Sequence, residues 1–179
     1  VVHTYCTAYN APYTETFEDA AALSCWSSYG NVAPVRNTTY HYAGSASLKI
    51  TDGAAISPEF NIPSITTYMV SGYAYAADDS IRFSIGVMAN PDDGETFEVL
   101  SQELIPAAGQ WQEFTAYFTL LGDEDYEDFA SAKHFALVVG GDATVYFDNV
   151  TFTEAPDCPK PTEVVVSNIT AHSFDIAWT

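Results

Sequence analysis

The chain has 179 residues, and its five Lys and Arg stand against 24 Asp and Glu, a formal net charge of −19. Such a surface repels nucleic acid and anionic membranes, which removes both as partners. Apolar residues make up 47% of the chain, enough for a core and too many for global disorder. No stretch approaches the roughly 18 apolar residues that a membrane-spanning helix needs.

Strand signals dominate from residue 67 onward. TYMVSGYAYA (67–76) alternates large and small side chains. In 81–89, Ile81, Phe83, Ile85 and Val87 alternate with Arg82, Ser84 and Gly86. Period 2 marks a strand with one buried face. Segments 96–104 and 111–120 read the same way. Near Asp123–Ala132 a helical period is weak, and the segment reads as a loop with one helical turn. Two further strands follow at 134–141 and 144–152, with Gly140-Gly141-Asp142 read as the turn between them. Other turn signals are Ala77-Asp78-Asp79, Asn90-Pro91-Asp92-Asp93-Gly94 and Pro106-Ala107-Ala108-Gly109. Short strands broken by such turns predict an all-β, antiparallel sandwich or barrel.

Composition changes at Glu154-Ala155-Pro156-Asp157-Cys158-Pro159-Lys160-Pro161, where three prolines make a stiff, extended connector. Beyond it Val164 and Val166 alternate, a turn spans Ser167–Ser173, and Phe174, Ile176 and Trp178 alternate again. Two strands cannot bury a core alone. They read as the opening of a second module, with the natural chain expected to continue past Thr179. The start at Val1, without an initiator Met, is read likewise as a processed fragment.

Pro161, Val164-Val165-Val166, Ser167-Asn168-Ile169-Thr170 and Ile176-Ala177-Trp178 resemble the opening of a fibronectin type III module. In the main segment four motifs occur in order: Pro12-Tyr13-Thr14-Glu15-Thr16-Phe17-Glu18, Cys25-Trp26, Gly44-Ser45-Ala46-Ser47-Leu48-Lys49-Ile50 and Val145-Tyr146-Phe147-Asp148-Asn149-Val150. Together they resemble the jelly-roll adhesin modules of bacterial surface proteins, the cleaved-adhesin and choice-of-anchor type related to MAM domains and carbohydrate-binding modules. Of that family's "W-L-I-T/S-P" strand this chain carries Ile56-Ser57-Pro58, and it has no clear form of the Asp/Gly-rich calcium loop. The resemblance implies a jelly-roll β-sandwich, galactose-binding-like or MAM-like, over 11–155. Residues 1–10 would be the tail of a preceding module or a linker, and 156–179 a linker with the first strands of an incomplete fibronectin type III sandwich.

The resemblance also implies a metal. In that family the Glu of the "FE" pair and the Asp of "Y-F-D" meet where the first and last strands pair, which would make Glu18 and Asp148 ligands of a structural calcium ion. Calcium takes 6–8 oxygens, carbonyls included, so two carboxylates can suffice. The acidic turns Asn90–Gly94 and Gly122-Asp123-Glu124-Asp125 do not fit the spaced calcium loop and read as solvated.

No H-E-x-x-H, G-x-S-x-G or Cys–His signature is present, and His3, His41, His134 and His172 are scattered, so the expected function is not enzymatic. Glycan recognition combines aromatic faces with polar edges. The candidates are Tyr29, Tyr40, Tyr42, Tyr126 and Trp111, with Tyr40-His41-Tyr42 the densest; strands of this kind also use Tyr and Trp simply as packing. Three cysteines permit one bridge at most. In the resembling arrays a Cys placed like Cys6 pairs back into the preceding module, which points to Cys25 with Cys158; Cys6 with Cys25, or no bridge, stay open. The expectation is a non-catalytic, secreted or cell-surface binding module, with a glycan or a host or matrix protein as partner and neighbouring modules in the same chain. A structural spacer and an ancillary module of a secreted hydrolase are the alternatives.

Overall fold

The computed structural model describes residues 6–30, 32–62, 66–105, 107–119 and 133–157, with 165–168, 170, 173 and 175–177 of the C-terminal segment. Thirteen strands are found there: β1 (Tyr9–Asn10), β2 (Tyr13–Glu15), β3 (Ser27–Gly30), β4 (Val35–Asn37), β5 (Ser47–Ile56), β6 (Phe60–Asn61), β7 (Thr67–Tyr75), β8 (Ile81–Met88), β9 (Phe97–Ile105), β10 (Gln112–Thr119), β11 (His134–Glu154), β12 (Val165–Ser167) and β13 (Asp175–Ala177). Among the described residues the only helical pieces are 3₁₀ turns at Ala22–Cys25 and Gly94–Thr96. The expected helical turn near 123–132 lies outside the described residues, as do the acidic turn 122–125 and Tyr126.

The all-β antiparallel sandwich is present. Nine strands form one hydrogen-bonded sheet that folds back on itself, because β5 and β11 each serve two layers. In the first layer β10, β7, the C-terminal half of β11 and the N-terminal half of β5 lie side by side, with β2 also on β11 and β4 on β5. In the second, β9, β8, the N-terminal half of β11, the C-terminal half of β5 and β3 follow in order. The alternation in β7 buries Tyr68, Val70 and Ala74 and turns Met69, Ser71, Tyr73 and Tyr75 outward. Phe83 of β8 meets Phe114 of β10 and Phe147 of β11 at ring separations of 5.5 and 5.0 Å, which closes the two layers over one core. Each fully buried Leu, Ile or Phe there contributes about 1.5–3 kcal/mol.

Two expectations need correction. Gly140-Gly141-Asp142 is not a hairpin turn. Both halves of β11 pair with β5, Val139 opposite Gly53 and Thr144 opposite Thr51, so the chain bulges rather than reverses. Gly141 (φ 70°) and Asp142 (φ 61°) absorb the extra residues in the left-handed region that Gly and Asp tolerate best. The cysteines differ as well. Cys6 is bonded to Cys25, with Cα atoms 5.7 Å apart, so Cys25 is not paired with Cys158, which lies outside the described residues. The 3₁₀ turn at Ala22–Cys25 carries Cys25 back toward the N-terminal segment. That segment is held beside β6 by the parallel β1–β6 pair and by Tyr9 N–H donating to Glu59 O at 2.8 Å. Residues 6–10 are therefore tied to the sandwich.

At the far end β12 and β13 form an antiparallel pair of their own, Val166 opposite Ile176. Thr170 N–H donates to Ser173 O at 2.7 Å.

Candidate functional site

The loop between β4 and β5 folds over the outer face of the first layer. Asn37 starts it, its Oδ1 accepting from the N–H groups of Thr39 and Tyr40 at 2.9 Å each. Tyr40 stacks on Tyr75 of β7 at 4.9 Å and 24° and lies 4.9 Å from Tyr146 of β11. Tyr42 stacks on Tyr73 at 3.6 Å and 10°, with Trp111 at its edge 6.0 Å away. The Tyr73 phenol is held above its usual range, first by its hydrogen bond with Tyr42. Burial, then the neighbouring Tyr40, pushes the Tyr146 phenol up as well. These rings largely occupy one another. Tyr42 is exposed at 45%, while His41 beside it is exposed without a stacking partner among the described residues.

Two carboxylates fasten the same loop. Asp148, fully buried, accepts from Tyr42 N–H (2.8 Å) and Ala43 N–H (3.0 Å) on Oδ2 and from Asn149 N–H (2.7 Å) on Oδ1. Glu18 accepts from Ser45 N–H (2.8 Å) and Ala46 N–H (2.9 Å) on Oε1 and from the Ser45 hydroxyl (2.6 Å) on Oε2. Between them Gly44 turns at φ 62°, and a Cβ there would lie 2.4 Å from Glu18 Oε1. Arg36 donates to the carbonyls of Phe17 (2.7 Å) and Glu18 (3.2 Å). The structure thus brings the two expected metal ligands to one loop. Each carboxylate, with about four lone-pair positions, has three filled by N–H or O–H donors. No group of three or more His, Cys, Asp and Glu side chains able to hold a metal occurs among the described residues.

The outer face of the second layer is different. Two cross-strand rows define it: Tyr29–Ala54–Val138–Ser84–Gln102, and Ser27–Ile56–Ala136–Gly86–Val99. Small side chains dominate these rows, which cross five strands, about 19 Å at the usual strand spacing; Ala54, Ile56, Gly86 and Ala136 are buried within them, Ser84 and Val138 are half-buried, and the trough they line opens beside Tyr29. At one end stands Tyr29, 57% exposed, with no other ring stacked on it among the described residues. At the other, Gln102 and Arg82 are exposed. The Asn90–Thr96 loop borders the trough and is stiffened internally, Asn90 Oδ1 accepting from Asp92 N–H and Asp93 Oδ1 from Glu95 N–H. Its Gly94 lies against Tyr29: a Cβ there would come within 2.9 Å of Tyr29 Cζ. The Phe97 ring lies across Gly86, where a Cβ would meet Phe97 Cε2 at 2.3 Å. Between these rings is a cavity of about 160 Å³. An exposed aromatic ring over a small-residue floor, with amide and guanidinium donors at the far edge, suits a ligand that has apolar faces and hydroxyl rims.

The profile of the carbohydrate binding domain family matches residues 9–129. The chain belongs to this family. It is a non-catalytic binding module. No curated protein matches it. Among solved structures, the K3 cleaved adhesin domain of Lys-gingipain from Porphyromonas gingivalis is similar with a TM-score of 0.60 at 16% identity, over 79% of this chain and 96% of that one. The CBM22-1 xylan-binding domain of Paenibacillus barcinonensis Xyn10C gives 0.58 at 13% identity, over 83% and 97%. The C-terminal family 22 carbohydrate binding module of Clostridium thermocellum Xyn10B gives 0.58 at 18%, over 82% and 95%. Identities this low establish the shared fold and nothing finer.

For this carbohydrate binding domain the sequence pointed to Tyr40, His41 and Tyr42, and the structure puts Tyr40 and Tyr42 into a ring cluster on the first layer. Tyr73, Tyr75 and Tyr146 of that cluster were not singled out, although Tyr73 and Tyr75, two residues apart on a strand, must share a face. Tyr29 was one candidate among several. Its trough partners are Ala, Gly, Ser and Val, which carry no chemical signal in sequence.

Proposed function

We propose that this domain binds a polysaccharide along the outer face of the second layer, with Tyr29 stacking on a sugar ring and Gln102 and Arg82 bonding its hydroxyls. The observation that carries this is the ring of Tyr29, 57% exposed and with no other ring stacked on it among the described residues, beside the cavity at the head of the trough. On the opposite face the rings of Tyr40, Tyr73 and Tyr75 are already stacked and serve to pin the loop. Affinity electrophoresis against a panel of soluble plant, bacterial and host polysaccharides tests it. Tyr29→Ala should weaken binding at least tenfold with the melting midpoint kept, whereas Tyr40→Ala should lower the midpoint and spare binding. Retention of full affinity by Tyr29→Ala would overturn the assignment.

We also propose a structural calcium ion where Asp148 and Glu18 hold the loop. In its support, Asp148 is a fully buried carboxyl group whose hydrogen bonds come from N–H groups and from no Lys or Arg among the described residues. The role is to stiffen the loop. A ligand bound to the native state alone stabilises by about 2.7 kcal/mol at a hundredfold excess over its Kd. Chelator should therefore lower the melting midpoint of the native protein and leave Asp148→Asn unmoved; equal curves with and without chelator dispose of the ion.

The disulfide supports an oxidising, extracytoplasmic setting, at the cell surface or secreted. The β12–β13 pair, with its motif likeness, supports a fibronectin type III module following the connector. Such a neighbour fits both an adhesin array and an ancillary module of a secreted hydrolase.

A further inference from the structure

The cavity beside Tyr29 is the head of the trough itself, so a sugar held by Tyr29 is seated among its walls. Those walls are Ile56, Met88, Phe97, Ala136 and Val138, with the Tyr29 ring at the mouth. Ile56, Met88 and Ala136 are buried and, with Phe97 and Val138, make an apolar cluster apart from the main core between the layers, into which Ala55 points. The cluster faces out of the sandwich onto a space of about 160 Å³. The only conventional side-chain hydrogen-bonding group around that space is the Tyr29 hydroxyl. A sugar can leave its ring hydroxyls on the solvent side and turn one edge toward these walls. In a hexose the exocyclic carbon on that edge is a hydroxymethyl group. A hydroxyl buried there without a partner costs roughly five- to a hundredfold in affinity, about 1–3 kcal/mol. In a 6-deoxyhexose the same carbon is a methyl group, which needs no partner and gains by leaving water. An acetamido methyl does not serve as well, because its amide N–H and C=O travel with it.

We propose that this seat selects a 6-deoxyhexose, with the C6 methyl group lodged among Met88, Phe97 and Val138 while Tyr29 stacks on the ring. This rests on the trough being the glycan site and names the sugar that the site prefers. Gly86 and Gly94 shape the seat: the first lets the Phe97 ring lie across the strand as one wall, and the second lets the loop approach Tyr29 at the mouth.

The two methionines supply an internal probe. Met88 lines the seat, whereas Met69 sits on the outer face of the first layer. With ¹³C-methyl methionine in the whole chain, matched free sugars are titrated side by side: L-fucose with L-galactose, L-rhamnose with L-mannose, D-fucose with D-galactose, and D-quinovose with D-glucose. The members of each pair differ only in methyl against hydroxymethyl at the exocyclic carbon. The expected result is at least tenfold tighter binding of the deoxy member in the pair that binds, equivalent to about 1.4 kcal/mol, with a chemical-shift change at Met88 and none at Met69. Val138→Thr keeps the shape of the side chain and puts a hydroxyl in the wall, so it should raise the affinity of the hydroxymethyl member and narrow the gap. Equal affinities within the pairs, with Met88 shifting, would overturn the deoxy preference and leave the glycan site standing. A preference that Val138→Thr leaves whole, with Met88 unmoved, would place the selection elsewhere and overturn the seat. No shift at Met88 from any sugar, while the polysaccharide panel still binds, would overturn it too; silence on both would remove both readings.

Discussion

Glu18 and Asp148 show how one residue type can serve two roles in one loop. Both grip pairs of neighbouring N–H groups, and Glu18 is held below its ordinary carboxylate pKa, first by the Ser45 hydroxyl, then by the Ser45 and Ala46 N–H groups and by Arg36. A depressed folded pKa means that the contribution is complete above the unfolded value, near pH 4.5, and is lost as pH falls through the lower folded value. Acidification also neutralises carboxylates across a chain of net charge −19, which relieves repulsion and opposes that loss. The comparison must therefore be internal. The melting midpoint of the native protein should exceed that of Glu18→Gln above pH 5, and the gap should close as pH falls below about 4.5. A gap that stays constant down to pH 3 would show that the carboxylate is not what fastens Ser45 and Ala46.

Elements decide what the cysteines do. β1 and β2 run the N-terminal segment along the sandwich, beside β6 and β11, and the 3₁₀ turn returns Cys25 to Cys6. The closed loop spans 19 positions in sequence. Chain-entropy reasoning puts its worth at about 3 kcal/mol. Cys25→Ser should lose about that much stability in denaturant titration, and dithiothreitol should lower the native protein to the same level and leave the variant unchanged. Non-reducing peptide maps should recover Cys6 linked to Cys25; a Cys25–Cys158 peptide would falsify the pairing. The bulge in β11 has a comparable logic. One long strand can serve two layers only if it can be re-registered, and Gly140–Asp142 do this without breaking the ladder.

At the scale of the molecule the charge is unbalanced and poorly compensated. The one ion pair among the described residues, Lys133 Nζ to Glu59 Oε1 at 3.1 Å, is half exposed on both sides and contributes little. Salt therefore screens repulsion more than attraction. Raising NaCl from 10 to 150 mM shortens the Debye length from about 30 to about 8 Å, and the melting midpoint should rise. A fall would mean that attractive pairs dominate after all. Neutral polysaccharides should bind with an affinity nearly independent of salt, whereas polyanionic ones should be rejected at low salt.

Period-2 alternation determined the strands at 67–75, 81–88, 97–105 and 112–119 almost to the residue, because a one-face-buried strand must repeat every second position. The succession of short alternating segments and turns determined the all-β class, and four motifs in order pointed to a β-sandwich module of the carbohydrate-binding and adhesin kind. Tertiary structure alone decided three things. It joined 134–141 and 144–152 into one strand, because a shared partner, invisible in a local pattern, overrides a Gly-Gly-Asp turn signal. It chose Cys6 for Cys25, because a disulfide depends on Cα separation rather than on sequence spacing. And it separated Tyr29 from Tyr40 and Tyr42: all three look alike in sequence, but Tyr40 and Tyr42 stack on rings distant in sequence, Tyr75 and Tyr73, while Tyr29 stacks on no other ring among the described residues.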